Sequence, residues 1–168
     1  MQKKLALYLD DTRNPTENPP GYEWKIVRDY IEFTAFIINY FKENRKLPDL
    51  ISFDHDLSPE HVDYYLDHQN QKIEDYSIFK DKTGMHAAQW LIAVCEKNNI
   101  SLKGIKLCVH SHNPAGSSNI QNALNAFKSK QLGPGEGDCF LNQWPFEYDQ
   151  KIIQKRQKEH EEKINDRI

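Results

Sequence analysis

Apolar residues along this chain fall in short unbroken runs, and each run stops at a polar cluster. Leu5-Ala6-Leu7-Tyr8-Leu9 meets Asp10-Asp11, Leu50-Ile51-Ser52-Phe53 meets Asp54-His55-Asp56, and Ile105-Lys106-Leu107-Cys108-Val109 meets His110-Ser111-His112. Runs without polar alternation suit parallel strands that are covered on both faces. Trp24-Lys25-Ile26-Val27 predicts a further short strand. The intervening stretches change to helical spacing. Ile31, Ala35, Ile38 and Phe41 predict a helix over 31–44, stopped by Pro48. Ala87, Ala88, Leu91, Val94 and Cys95 mark one that opens at Thr83-Gly84 and closes at Asn98-Asn99. Ile120, Ala123, Leu124 and Phe127 mark another after Ala115-Gly116.

Strands alternating with helices predict an α/β fold built on a doubly wound, mainly parallel sheet with right-handed crossovers. One place breaks the alternation. Asn14-Pro15 and Asn18-Pro19-Pro20-Gly21 hold too many breakers for a helix, so a loop stands where the first helix belongs. Residues 58–82 are polar and read as an insertion after the third strand, with weak helical content. Its Tyr64, Tyr65 and Tyr76 either stack on a base or pack on the domain surface. Gly133 to Gly137 is a loop. Beyond Tyr148 the chain has neither Pro nor Gly and mixes both signs of charge, as a solvated helix does. The expected organisation is one domain over 1–148 and a charged C-terminal helix or tail over 149–168.

Length and charge narrow the classes of partner. The chain has 168 residues, enough to bury a core without disulfides or a structural metal. A formal charge of -3 argues against general binding of duplex DNA or a nucleic-acid coat role. No apolar run reaches the length of a membrane span. The N-terminal apolar stretch runs straight into two aspartates, unlike a signal peptide. Three cysteines, Cys95, Cys108 and Cys139, lack metal-site spacing, and two of them lie in apolar runs. They read as reduced thiols of a cytoplasmic protein.

The candidate chemistry sits at the strand ends, the edge at which open parallel sheets bind ligands. Adjacent Asp10 and Asp11 repel unless a cation or Arg13 neutralises them. Asp54 and Asp56 point to one face of an extended chain, with His55 on the other. Asp10, Asp11, Asp54 and Asp56 together make an oxygen-rich set suited to a divalent cation, Mg2+ first. His110 and His112 have the intrinsic pKa for proton transfer near neutrality. The turn Asn113-Pro114-Ala115-Gly116, followed by Ser117-Ser118-Asn119, feeds a helix start that can offer N–H groups to an anion. Ser111, Asn113, Gly116, Ser117 and Asn119 are therefore candidate phosphate-binding residues. This inventory fits phosphoryl chemistry better than acyl transfer. Neither a GxSxG elbow, a phosphate-binding Walker loop, a GxGxxG fingerprint nor an HExxH motif occurs.

The segments Leu7–Pro15, Ser52–Leu57, Thr83-Gly84 and Val109–Gly116 occur in the order found in the cyclic-phosphate processing receiver family, which the sequence resembles over residues 5 to about 127. The resemblance implies strand order 2-1-3-4, a pocket shared by Asp10, Asp11 and Asp54, and Gly84 as part of that pocket. It places Asp54 at the phosphoacceptor position of ordinary receivers and Ser111 at their hydroxyl position. It implies action on a cyclic phosphate, that of a nucleotide or an RNA end. The lysine that ordinary receivers carry after a fifth strand has no match, and the first helix is missing. With His55, His110 and His112 added, these departures favour phosphodiester hydrolysis over phosphorelay. On this expectation Asp54, His55, His110, His112 and Arg13 are catalytic, with His110 as general base or acid. The ligand is a small phosphate compound or an RNA end. Two alternatives stay open: a non-catalytic module that binds a nucleotide or phosphate, and a phosphorelay receiver with Asp54 as acceptor.

Overall fold

The computed structural model describes residues 3–68, 71–135 and 138–165. The predicted strands form where the apolar runs lie: β1 (Lys4–Leu9), β3 (Tyr22–Val27), β4 (Leu50–Phe53) and β5 (Lys106–Val109). Two short strands, β2 (Arg13–Pro15) and β7 (Phe146–Tyr148), and a two-residue strand, β6 (Phe140–Leu141), complete the set among the described residues. Helices α1 (Tyr30–Asn44), α2 (Pro59–Asp67), α3 (Gly84–Asn98), α4 (Pro114–Leu132) and α5 (Gln150–Asn165) separate or follow them. The part of the 133–137 loop at 136–137 lies outside the described residues.

The main sheet runs β3-β1-β4-β5-β6, every pair parallel, and β2 pairs antiparallel with β7 in a separate ribbon. The order extends the expected 2-1-3-4 by a fifth strand. In register, Leu9 lies beside Phe53 and Phe53 beside Val109, so the polar clusters that follow them emerge side by side.

One face of the sheet buries Leu7, Leu9, Ile51, Phe53, Leu107 and Val109 under α1, α3 and α4. The other face presents Ala6, Tyr22, Leu50 and Cys108, against which Trp24 and Trp144 pack. Of the doubly wound arrangement, the parallel sheet and its order stand. Its second layer is formed by loops and indole rings, because the breaker-rich segment after β1 does not form a helix.

The helix caps are set locally. The Asp29 side chain accepts from the Glu32 N–H at 2.8 Å to start α1, and Asn113 accepts from the Gly116 N–H at 2.9 Å to start α4, with Pro114 at its first turn. The face of α1 differs from expectation. Phe33 and Ile37 are its buried residues, whereas Ile31 is 73 % exposed and Ile38 42 %. Phe33 carries the larger apolar surface and reaches Phe53 and Trp90 at centroid distances of 5.5 and 6.2 Å, so it, not Ile31, sets the rotation of the helix.

Candidate functional site

Asp10 and Asp11 follow β1, and Asp54 follows the neighbouring β4. Each offers a carboxylate oxygen within 4.8 Å of the others, and all three are buried. Such crowding needs positive charge. Arg13, 5 % exposed, supplies it: Nε donates to Asp10 Oδ2 at 2.6 Å and NH2 pairs with Asp54 Oδ2 at 3.0 Å. The β2–β7 ribbon holds the guanidinium in place, with its carbon 5.1 Å from the Phe146 ring centroid.

Asp10 is saturated. Oδ1 accepts from the N–H groups of Thr12 and Arg13, and Oδ2 from Arg13 Nε and His110 Nε2. Burial raises its pKa, but the His110 hydrogen bond and the Arg13 charge outweigh this and hold the carboxyl below the ordinary value. At Asp54 the balance reverses. Burial, joined by the Asp10 charge, pushes it up to about 8 despite Arg13. Asp11 is also raised by burial, against the pull of Arg156, whose NH2 lies 2.7 Å from Asp11 Oδ2. The oxygen-only set fits a hard divalent cation. Because Asp10 has no spare acceptor position, Asp11 and Asp54 hold the available lone pairs.

The three candidate imidazoles have different places. His110 is 1 % exposed and lies below the carboxylates. Burial lowers its pKa to about 4, so the ring is neutral. Its neighbours define a directed chain: Trp144 Nε1–H donates to Ser52 Oγ at 3.1 Å, the Ser52 hydroxyl donates to His110 Nδ1 at 2.7 Å, and His110 Nε2–H donates to Asp10 at 3.2 Å. The ring also stacks on Tyr8 at 4.1 Å. His55 is fully buried, with Nδ1–H donating to Asp56 Oδ1 at 2.6 Å and Nε2 accepting from the Tyr76 hydroxyl at 3.1 Å. Both rings therefore orient carboxylates. His112 is the exposed one, and it lines a cavity of about 260 Å3 with Arg13, Asp11, Asp54, Asp56 and Ser111.

That cavity brings together six of the candidate catalytic, phosphate-binding and metal-binding residues. It does not bring in the expected anion cradle. Asn113 occupies the helix start with its own side chain, taking the Gly116 N–H, and its carbonyl takes that of Ser117. Asn113 Nδ2 also reaches Asp56 at 3.3 Å. Gly116 is small for a steric reason: a Cβ there would lie 2.2 Å from His55 Cγ. Gly84 is small because a Cβ would lie 1.7 Å from the Asp54 carbonyl oxygen. Ser117 Oγ donates to Ser111 O at 3.3 Å, and Asn119 Nδ2 donates to Ile73 O at 2.8 Å and the Tyr76 hydroxyl at 2.9 Å. These groups brace the floor and the insertion instead of lining the cavity. Asn, Ser and Thr cap helix starts with the same side-chain oxygens and amides that contact anions, so the local pattern does not distinguish a closed cap from a cradle.

The model of the cyclic-phosphate processing receiver domain matches residues 5–126. The chain belongs to that family. No curated protein and no solved structure is a significant match. In this receiver the 2-1-3-4 order and the buried acidic trio stand as the family resemblance implies, and a fifth strand extends the sheet. The fifth strand, β6, is followed by Asn142, Gln143 and Trp144, and Gln143 Nε2 donates to Ser111 O at 3.2 Å. No described helix is long and apolar enough to cross a membrane.

Several site residues, Val62, Leu66 and Tyr148 among them, carry no signal in the sequence. With Tyr65 of the insertion they form the apolar wall of the cavity. Of the insertion's tyrosines, Tyr65 is thus at the site, while Tyr64 stacks on His68 at 4.2 Å and Tyr76 contacts His55. Arg28 NH1 donates to the carbonyls of Asp10 and Arg13 at 3.1 and 3.0 Å, fixing the acidic turn. Arg28 and Arg156 lie in stretches whose local pattern is only that of a polar surface.

Proposed function

We propose that this receiver is a phosphoesterase that opens a cyclic phosphate, that of a nucleotide or of an RNA 2',3'-cyclic end. The supporting observation is that a guanidinium, an exposed imidazole and a hydroxyl share one cavity with carboxylates, beside an apolar wall. In the reaction, a water oxygen bonds to phosphorus and one ring P–O bond breaks. The water proton ends on the departing alkoxide oxygen. His112 is the imidazole placed to carry that proton, a role worth about 10²–10⁴ in rate. Arg13 and the Ser111 hydroxyl stabilise charge on the phosphoryl oxygens. His110 and His55 act through Asp10 and Asp56 as positioning residues. A divalent cation, Mg2+ by its preference for hard oxygen donors, would be held by Asp11 and Asp54 beside Asp10 and would add positive charge near the phosphate.

A panel of cyclic nucleotides and cyclic-ended RNA, offered with Mg2+ or Mn2+, tests this reading. Turnover is expected, reduced at least about 100-fold in His112→Ala. No turnover by the wild-type protein on any of them defeats it. The binding-module alternative draws on one observation: Asp10, Asp11, Asp54 and Asp56 all have cationic or imidazole partners already. Stoichiometric binding with unchanged ligand recovered afterwards favours that alternative. A phosphorelay role has less support, because Arg13 occupies Asp54 Oδ2 and the lysine is missing.

A further inference from the structure

Helix α5 lies outside the segment that matches the family, yet it reaches the acidic site. Its base is tied down. The Asp149 N–H donates to Thr12 O at 2.7 Å, and Asp149 Oδ2 pairs with Arg28 at 3.1 Å. Two turns further on, Arg156 extends to Asp11 and donates to Oδ2 at 2.7 Å. The Asp11 side chain is 8 % exposed and that of Arg156 31 %, so the carboxylate belongs to the site and the guanidinium enters it from solvent.

The rest of the helix is loosely seated. None of its residues from Gln150 to Glu162 is buried. Open clefts of about 270 and 380 Å3 flank it, one shared with Asp11, Arg28, Asp29 and Leu57, the other with Pro59 and Asp63. Held at its base, by the half-buried Ile152 and Ile153 and by one ion pair, with none of its described residues in either hydrophobic core, the helix can lift without disturbing the core.

The two site arginines differ in kind. Arg13 is buried and held on several sides, so it is a fixed part of the floor. Arg156 satisfies a site carboxylate with acceptor capacity to spare: apart from Arg156, Asp11 accepts, among the described residues, from Thr12 Oγ1 at 3.3 Å. A cation that draws on Asp11 competes with that guanidinium for the same negative charge, and two positive charges on one carboxylate repel. We propose that Arg156 is the resident counter-charge of Asp11, and that α5 is a strap which a divalent cation displaces from the acidic site.

This rests on the reading that the carboxylates take a cation, and its test separates the two. Mn2+ binding is followed by the electron spin resonance of free ion in the full-length wild type and in Arg156→Gln, Arg156→Lys and Lys155→Gln. Lys155, whose nearest partner is Glu159 at 3.8 Å, controls for loss of one positive charge on the same helix. Arg156→Gln is expected to bind Mn2+ about fivefold more tightly, the scale of a partly exposed ion pair. Arg156→Lys should fall between it and wild type, and Lys155→Gln should stay near wild type. In the wild type, Mn2+ should speed amide hydrogen exchange over residues 152–157. Equal Mn2+ affinity in wild type and Arg156→Gln, or tight binding with unchanged exchange in α5, overturns the strap alone. No Mn2+ binding by any of the four proteins overturns the strap and the cation reading together.

Discussion

At the scale of single residues, two glycines show how closely the site is built. Gly84 opens α3 directly against the backbone that follows Asp54; its N–H donates to His55 O at 2.8 Å. Gly116 closes over the His55 ring. A methyl group at either position meets backbone or a locked ring, not a flexible chain end. Gly84→Ala and Gly116→Ala are each expected to cost about 3 kcal/mol, at the upper end for overpacking, since neither neighbour can rotate away. Urea denaturation measures this, and a cost below about 1 kcal/mol for Gly84→Ala contradicts the contact. The same scale explains why three histidines in similar sequence settings differ. His110 and His55 each have both ring nitrogens engaged inside the protein, whereas His112 points into the cavity.

At the scale of elements, helix starts and helix faces carry the information. The Thr83 N–H donates to His86 Nδ1 at 3.0 Å, a reciprocal cap in which imidazole replaces the usual carboxylate. That bond requires a neutral ring. Burial, with the charges of Lys82, His61 and His55 around it, lowers the His86 pKa to about 4 from an ordinary 6.5. A depressed histidine contributes stability in full above pH 6.5, and loses it as the pH falls from 6.5 toward 4. Wild type should therefore lose stability relative to His86→Gln between pH 7.5 and pH 5, as read by paired urea titrations. A difference that stays constant with pH removes this account. On α1, Ile37→Ala should cost about 2–5 kcal/mol as a core truncation. Ile31→Ser, on the exposed side, should stay within about 0.5 kcal/mol. Thermal melts of the two variants distinguish the observed face from the one centred on Ile31.

At the scale of the molecule, Asp10 is the junction. It joins the end of β1 to β5 through His110, and to the β2–β7 ribbon through Arg13. The Trp144–Ser52–His110 chain links it to the second face of the sheet. Asp10→Asn keeps the shape but removes the charge that faces Arg13. It should cost about 3–5 kcal/mol, the scale of a broken buried pair, in chemical denaturation; a near-neutral result means that the junction is not a structural hub. The short strands β2, β6 and β7 were not legible in the sequence, whereas strands β1, β3, β4 and β5, helices α1, α3, α4 and α5, the missing first helix and the acidic trio were. Each is a local consequence of apolar period, breakers, or residues fixed to the end of a predicted strand. Even the convergence of Asp10, Asp11 and Asp54 followed once β1 and β4 were neighbours. The rotation of α1, the seclusion of His110 and His55, the closed cap at Asn113, and the arrival of Tyr65, Tyr148 and Arg156 depended on the tertiary structure. They are set by which side chains win space and hydrogen bonds among segments distant along the chain, a competition that no local pattern encodes.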